Sequence, residues 1–169
     1  MGKKSLLSAT ALLLLVLSVG CDSSTDPDDD PRFTAELTGD GEVPPVDTDA
    51  TGMASFELDD DLDELDYTLQ VTDIESATMA HIHIGPIDDT GPVVAFLFGP
   101  VAGGTTVTGT QVLASGTITE EDVLPRPDIG FDGTFASLIA EIEAGNAYVN
   151  VHTVAHGPGE IRGQIESVP

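Results

Sequence analysis

The sequence predicts an all-β domain, a Greek-key β-sandwich or barrel with one short helix. Several short stretches alternate apolar and polar residues and are bounded by Gly, Pro and Asp, the pattern of strands joined by turns. Val, Ile, Thr and Gly are plentiful while Trp is absent and aromatics make up 5 % of the chain, a composition that favours pleated, half-buried strands. Only one stretch carries apolar residues at helical spacing.

Taken in order, Arg32 to Thr38 alternates and reads as the first strand. Gly39 to Thr51, rich in Gly, Pro and Asp, is a long connection. Gly52 to Leu58 is a second strand, Asp59 to Asp63 an acidic turn, and Leu65 to Val71 a strictly alternating third strand. Met79 to Gly85 is a separate strand that carries two histidines. Pro92 to Phe98 is almost continuously apolar, which predicts a central strand buried on both faces. Gly99 to Thr108 reads as a glycine-threonine loop and Gln111 to Thr119 as a strand. From Thr134 to Gly145, Phe135, Leu138, Ile139 and Ile142 recur at helical spacing, with Thr134 to cap the helix and Gly145 to end it. Ala147 to Thr153 and Glu160 to Glu166 close the domain as strands.

The termini carry different information. Residues 1–20 have the form of a secretion signal: Lys3 and Lys4, an apolar run from Leu6 to Val19, then small residues. The run is shorter than the ~20 residues a spanning helix needs. Ser18-Val19-Gly20-Cys21 resembles a bacterial lipoprotein processing box, which implies lipidation of Cys21. As the chain's single cysteine, Cys21 has no partner for an internal disulfide. Asp22 to Pro31 contains no apolar residue and is expected to be a disordered acidic linker. The expected organisation is a signal peptide at 1–20, a lipidated cysteine and linker at 21–31, and a β-domain at 32–169.

Thirty acidic residues stand against five basic ones, a net charge of −25. Cleaving the leader removes Lys3 and Lys4 and leaves −27. Such a surface repels nucleic acid and anionic headgroups, so contact with the membrane is expected only through the lipid anchor. The acids are spread along the chain and do not follow calcium-loop spacing; Asp59 to Asp63 lacks the glycine and terminal glutamate of such a loop. An acidic, halophilic surface that salt screens is the reading that follows.

Candidate chemistry is confined to the histidines. Side chains two apart on a strand share a face, so His81 and His83 point the same way, ~7 Å apart along it. His152 lies in another alternating strand, and a neighbouring position would bring three imidazoles together. Three imidazoles suit copper or zinc; His156, past the strand end, is a weaker fourth candidate. Equally open are a structural polar cluster, in which the rings bond to one another and to backbone carbonyls, and an unrelated partner surface. Asn150 shares the face of His152 and is placed to orient an imidazole. Glu160 and Arg162, two apart on the last strand, are expected to form a structural ion pair. No nucleophile elbow or phosphate loop is present, and no catalytic residue is assigned.

Ala80-His-Ile-His-Ile-Gly85, Gly91-Pro-Val-Val94, Gly145-Asn-Ala-Tyr-Val-Asn-Val-His-Thr153 and Pro158-Gly-Glu-Ile-Arg-Gly-Gln-Ile165 together resemble the CHRD domain. That family is named after chordin, an extracellular antagonist of bone morphogenetic proteins, and also occurs in microbial secreted proteins. The resemblance spans roughly Phe33 to Ser167 and implies an immunoglobulin-like β-sandwich with no established activity in its microbial members. His81-Ile-His83 is also similar to the copper-ligand strand of copper–zinc superoxide dismutases. This second likeness lacks that family's bridging histidine, zinc loop and disulfide.

The expectation is a lipid-anchored, extracytoplasmic protein of the cell envelope, acting as a non-enzymatic binding module with a candidate histidine metal site. An extracellular protein is the class of partner this implies; the oligomeric state is left open. The competing expectation is a copper-dependent, superoxide dismutase-like redox enzyme using His81, His83 and His152.

Overall fold

Strands form where the alternation is strongest, and they assemble into one hydrogen-bonded network. The computed structural model describes residues 32–169; the expected leader, Cys21 and the acidic linker lie outside the described residues. Eight strands are present: β1 (Phe33–Thr38), β2 (Thr51–Leu58), β3 (Leu65–Ile84), β4 (Val93–Phe98), β5 (Thr105–Ile118), β6 (Ala147–Thr153), β7 (Ile161–Gln164) and β8 (Glu166–Ser167). The single α-helix among the described residues, α1 (Phe135–Glu143), precedes β6. No helix among the described residues is long and apolar enough to cross a membrane.

The strands pair in the order β2-β1-β7-β6-β3-β4, and a further β2–β3 ladder joins the path back on itself. The result is a β-barrel or sandwich, mostly strand, with one helix. Its interior holds Phe33, Leu37, Phe56, Leu65, Leu69, Ile74, Ile82, Val149, Val151 and Ile161, all nearly or fully inaccessible to solvent. Burial of these side chains is the main favourable contribution to folding.

One strand organises the rest. Leu65 to Val71 and Met79 to Gly85, expected as separate strands, are the two ends of the 20-residue β3. The polar stretch between them does not turn, because β5 runs alongside it: Thr72 pairs with Thr110, Ile74 with Val107 and Ala77 with Thr105. Asp73 and Ser76, with φ of 51° and 55°, take up the register shifts there as bulges, which bend a strand without ending it. The first half of β3 pairs with β2 and the second half with β6.

Three other expectations change. Pro92 to Phe98 is the last strand of the path, not a central one, since β4 pairs with β3 alone. The following segment takes up its outer edge, where Leu124 N–H donates to the Val94 carbonyl at 2.8 Å, while Phe96 on one face stays 48 % exposed. β5 begins at Thr105, inside the expected loop. The final strand is split into β7 and β8 around Ile165, whose N–H donates to Ala147.

The helix follows its sequence signals. Thr134 caps it through its side chain, which accepts from the Ser137 N–H. Phe135, Leu138 and Ile142 face the core, and Gly145 leaves it at φ 71°, a conformation that favours glycine. The chain then enters β6 directly.

Candidate functional site

β6 is buried along its whole length, which sets up the site. Ala147, Val149 and Val151 alternate with Tyr148, Asn150 and His152, and the two sets point to opposite faces. Against β3, Asn150 pairs with His81, Tyr148 with His83 and His152 with Met79. His81, His83, Tyr148, Asn150 and His152 therefore share one face, and β7 adds Arg162 opposite Asn150. This polar face is buried because two turns, Gly85 to Gly91 and Ala155 to Gly159, supply backbone carbonyls to it.

The three imidazoles lie together. His81, His83 and His152 are 4, 7 and 8 % exposed, and each offers a ligand atom within 4.8 Å of the others. His83 Nδ1–H donates to the Gly91 carbonyl at 2.8 Å, and His152 Nδ1–H donates to the Gly157 carbonyl at 2.8 Å. A carbonyl can only accept, so both rings carry their proton on Nδ1 and turn a lone pair outward on Nε2. His81 Nδ1 then donates to His152 Nε2 at 3.0 Å. Nε2 of His81 and Nε2 of His83 are buried with no hydrogen-bond partner.

Burial disfavours protonation here. Desolvation, reinforced by His152 and His83, pushes the His81 pKa down to about 4. Desolvation also lowers His83, against the opposing pull of the Gly91 carbonyl, and lowers His152 against that of Gly157. Neutral imidazoles with free lone pairs and carbonyl-fixed tautomers are the form in which histidine binds a metal. The residues present thus fit an ion of the copper or zinc type.

Aromatic rings frame the cluster. Tyr148 stacks on His83, centroids 4.8 Å apart at 11°, and Phe96 meets His81 at 4.5 Å and 85°. The Tyr148 ring also receives the guanidinium of Arg162, 3.5 Å from its centroid. β6 lies between β3 and β7, so the tyrosine is layered between an imidazole and a cation.

Arg162 does not pair with Glu160. It is 2 % exposed and donates to the carbonyls of Asp89 at 2.9 Å and Pro86 at 2.8 Å, clamping the 85–91 turn. Glu160 accepts instead from Thr48 at 2.8 Å and Thr153 at 2.7 Å. Neutral hydroxyls on one flank and carbonyls on the other satisfy each charge separately, so the expected ion pair is replaced by two hydrogen-bond sets. The ion pair found among the described residues is Arg32–Glu143, at the surface.

Asn150 sits among the rings, and its amide NH₂ donates to the Pro158 carbonyl at 3.3 Å. It also lies close enough to His83 to counter part of that ring's downward shift. His156 is not in the cluster; its backbone N–H bonds to Thr153 Oγ1, and its side chain borders a separate surface cleft with Glu75 and Val154. Cys21 lies outside the described residues.

Two residues at the site were not singled out in the sequence. Tyr148 was visible only as one more residue of an alternating strand. Glu42 lay in the long Gly39 to Thr51 connection, yet it is 7 % exposed. Burial raises the Glu42 pKa, with Arg162 opposing, and both its Oε1 and Asn150 Oδ1 are buried without a donor.

No curated protein and no solved structure matches the chain. The family model of the CHRD domain matches residues 33–165, a span that contains every strand and residue of the site just described, so the chain belongs to the CHRD domain family.

Proposed function

We propose that this protein is a non-enzymatic binding module of the cell envelope that holds one transition-metal ion, copper or zinc, among His81, His83 and His152. The observation that carries the reading is the convergence of three neutral imidazoles within 4.8 Å, two of them fixed by carbonyls so that Nε2 carries the lone pair, unpartnered on His83 and turned to His81 on His152. The ion would be held by Nε2 of His83, Nε2 of His152 and the facing nitrogen of His81. Asn150, Tyr148 and Phe96 would pack the rings in place.

The rest of the chain gives the module its setting. Residues 1–20 export it, lipidated Cys21 tethers it, and the acidic stretch to Pro31 spaces it from the membrane. Its barrel or sandwich is taken as a Greek-key, immunoglobulin-like one, in keeping with the family. The acidic surface excludes nucleic acid as a partner and favours an extracellular protein. Accumulation of an uncleaved precursor under globomycin is the outcome expected for the tether.

A copper-dependent redox enzyme is the second reading, favoured by the His-x-His strand on a β-barrel. Burial of all three rings argues for holding an ion over turning over a substrate at it. Calorimetric titration of tag-free protein with zinc and copper tests the metal site. Equal, weak binding by the wild type and a His81→Ala/His83→Ala variant would remove it. Superoxide dismutation by the copper-loaded protein above that of free copper would favour the enzyme.

A further inference from the structure

Resting on that metal-site reading, the surroundings of the three rings specify the charge of the ion. We propose that the His81–His83–His152 site takes copper in its monovalent state in preference to divalent ions.

The ligand set comes first. It consists of three imidazoles, with no carboxylate or thiolate in the group. Nothing in the ligand set itself neutralises charge, so the whole charge of the ion must be carried by its surroundings. Zinc sites complete four ligands, with a water where the protein supplies only three. Three imidazoles suffice for monovalent copper, a closed-shell ion content with low coordination.

The surroundings are poor at carrying charge. The rings are 4 to 8 % exposed, Phe96 stands edge-to-face against His81, and Tyr148 covers His83. The cost of moving an ion into such a medium rises with the square of its charge, so a divalent ion costs about four times as much as a monovalent one. Three neutral donors repay that difference only in part.

Fixed charges nearby do not close the gap. The Arg162 guanidinium sits against Tyr148 and adds positive charge one ring away from His83. Glu42 lies beside Gly159 and Asn150 with Arg162 as its opposing charge, so the negative charge it carries is set against the guanidinium. Glu160 is already engaged by Thr48 and Thr153. The acidic exterior concentrates divalent cations more than monovalent ones, so a monovalent preference has to arise inside the site.

The test uses tag-free protein, anaerobic, titrated with Cu(I), Cu(II) and Zn(II) against chromophoric chelators, alongside a His83→Gln variant. One Cu(I) per chain is expected, held at least about a hundredfold more tightly than Zn(II) and at least tenfold more tightly than by His83→Gln. A hundredfold preference for Cu(I) over Cu(II), measured against the aqueous couple, places the bound copper potential about 120 mV above it, at 59 mV per tenfold. Zinc binding that equals or exceeds Cu(I) binding, or a potential at or below the aqueous couple, would overturn the monovalent preference while leaving a His83-dependent site intact. Binding of every ion equally by wild type and variant would overturn the site and the preference together.

Discussion

Nδ1 of His81 lies 3.0 Å from Nε2 of His152, although 71 residues separate them in sequence. In the metal-free chain this contact is a hydrogen bond between neutral rings. Two metal–nitrogen bonds of ~2.0 Å at a tetrahedral or trigonal ion span only a few tenths of an ångström more. An ion held between the same two atoms would therefore need little movement of β3 against β6, with the His81 proton passing from Nδ1 to its unpartnered Nε2.

Replacing His152 by alanine removes one proposed ligand and the acceptor for His81 at once. Metal affinity is expected to fall at least tenfold, since two imidazoles remain. The metal-free fold should lose about 1–3 kcal/mol, because His81 Nδ1–H is left unpaired in a buried place. Calorimetry reads the first and urea unfolding the second. Loss of stability without loss of metal binding would mean that the cluster only fixes strand register.

The metal-free protein should lose stability as pH falls from about 6.5 to about 4. Burial holds His81 at about 4, against 6.5 for the free side chain, so in that window the unfolded chain takes up a proton that the folded chain refuses. The stabilisation is complete above the unfolded value and disappears towards the folded one, about 3 kcal/mol for this ring. His83 and His152 are lowered as well and act in the same direction. Glu42 opposes them, because its raised folded value stabilises the acid side. Urea midpoints from pH 8 to pH 4 with a chelator present give the profile, and a flat one would contradict the burial of neutral rings.

How much of this was legible in the sequence can be traced residue by residue. The shared face of His81 and His83 follows from a period of two, and the helix from its spacing and Thr134 cap. Adjacency of β3 and β6 is a matter of topology, which alternation alone does not encode, so the sequence offered His152 as a third ring only on the condition that its strand is a neighbour. Glu42 was hidden because burial of a loop residue depends on what folds over it, here Gly159 and Asn150. β4 misled because its run is apolar on both faces although only one is buried; Phe96, on the other, stays half exposed beside His81.

Arg162 is expected to be irreplaceable even by lysine. Its planar fork reaches the Pro86 and Asp89 carbonyls together while its face lies on Tyr148, and an ammonium cannot do both. Arg162→Lys should cost about 2–4 kcal/mol, the scale of one or two lost charge-assisted bonds in a buried place. By loosening the turn that presents the Gly91 carbonyl, it should also weaken metal binding about tenfold. Unfolding and metal titration of the same sample read the two effects.

Stability should rise from low to molar sodium chloride. A net charge of −25 is scarcely offset by pairing, since Arg32–Glu143 is exposed on both sides and Arg162 is bound to carbonyls. Self-repulsion across such a surface is screened as the Debye length shrinks to ~3 Å at 1 M. A rise in melting temperature of several degrees is expected. Chloride is the salt to use, because sulfate stabilises by exclusion whatever the charge; melting that ignores chloride would show that the acids are already compensated.

Gly91 joins the turn to the site and is the position where the smallest change should do most. Its carbonyl accepts from His83 Nδ1–H, and its N–H donates to the Tyr148 hydroxyl at 3.1 Å. A Cβ added there would overlap the carbonyl oxygen of Ile84, whose own N–H is tied to Pro92. Backbone stands on both sides, so no side chain can swing aside, and the 85–91 turn has to move off β3. Gly91→Ala should therefore cost at least about 2 kcal/mol and free the His83 ring to change tautomer. That second effect separates it from a simple packing defect: a ¹⁵N-detected imidazole spectrum should show the His83 proton no longer held on Nδ1, with metal affinity falling in step. An unchanged His83 signal in a destabilised Gly91→Ala protein would mean that the carbonyl does not set the ring, and that the turn serves the fold alone.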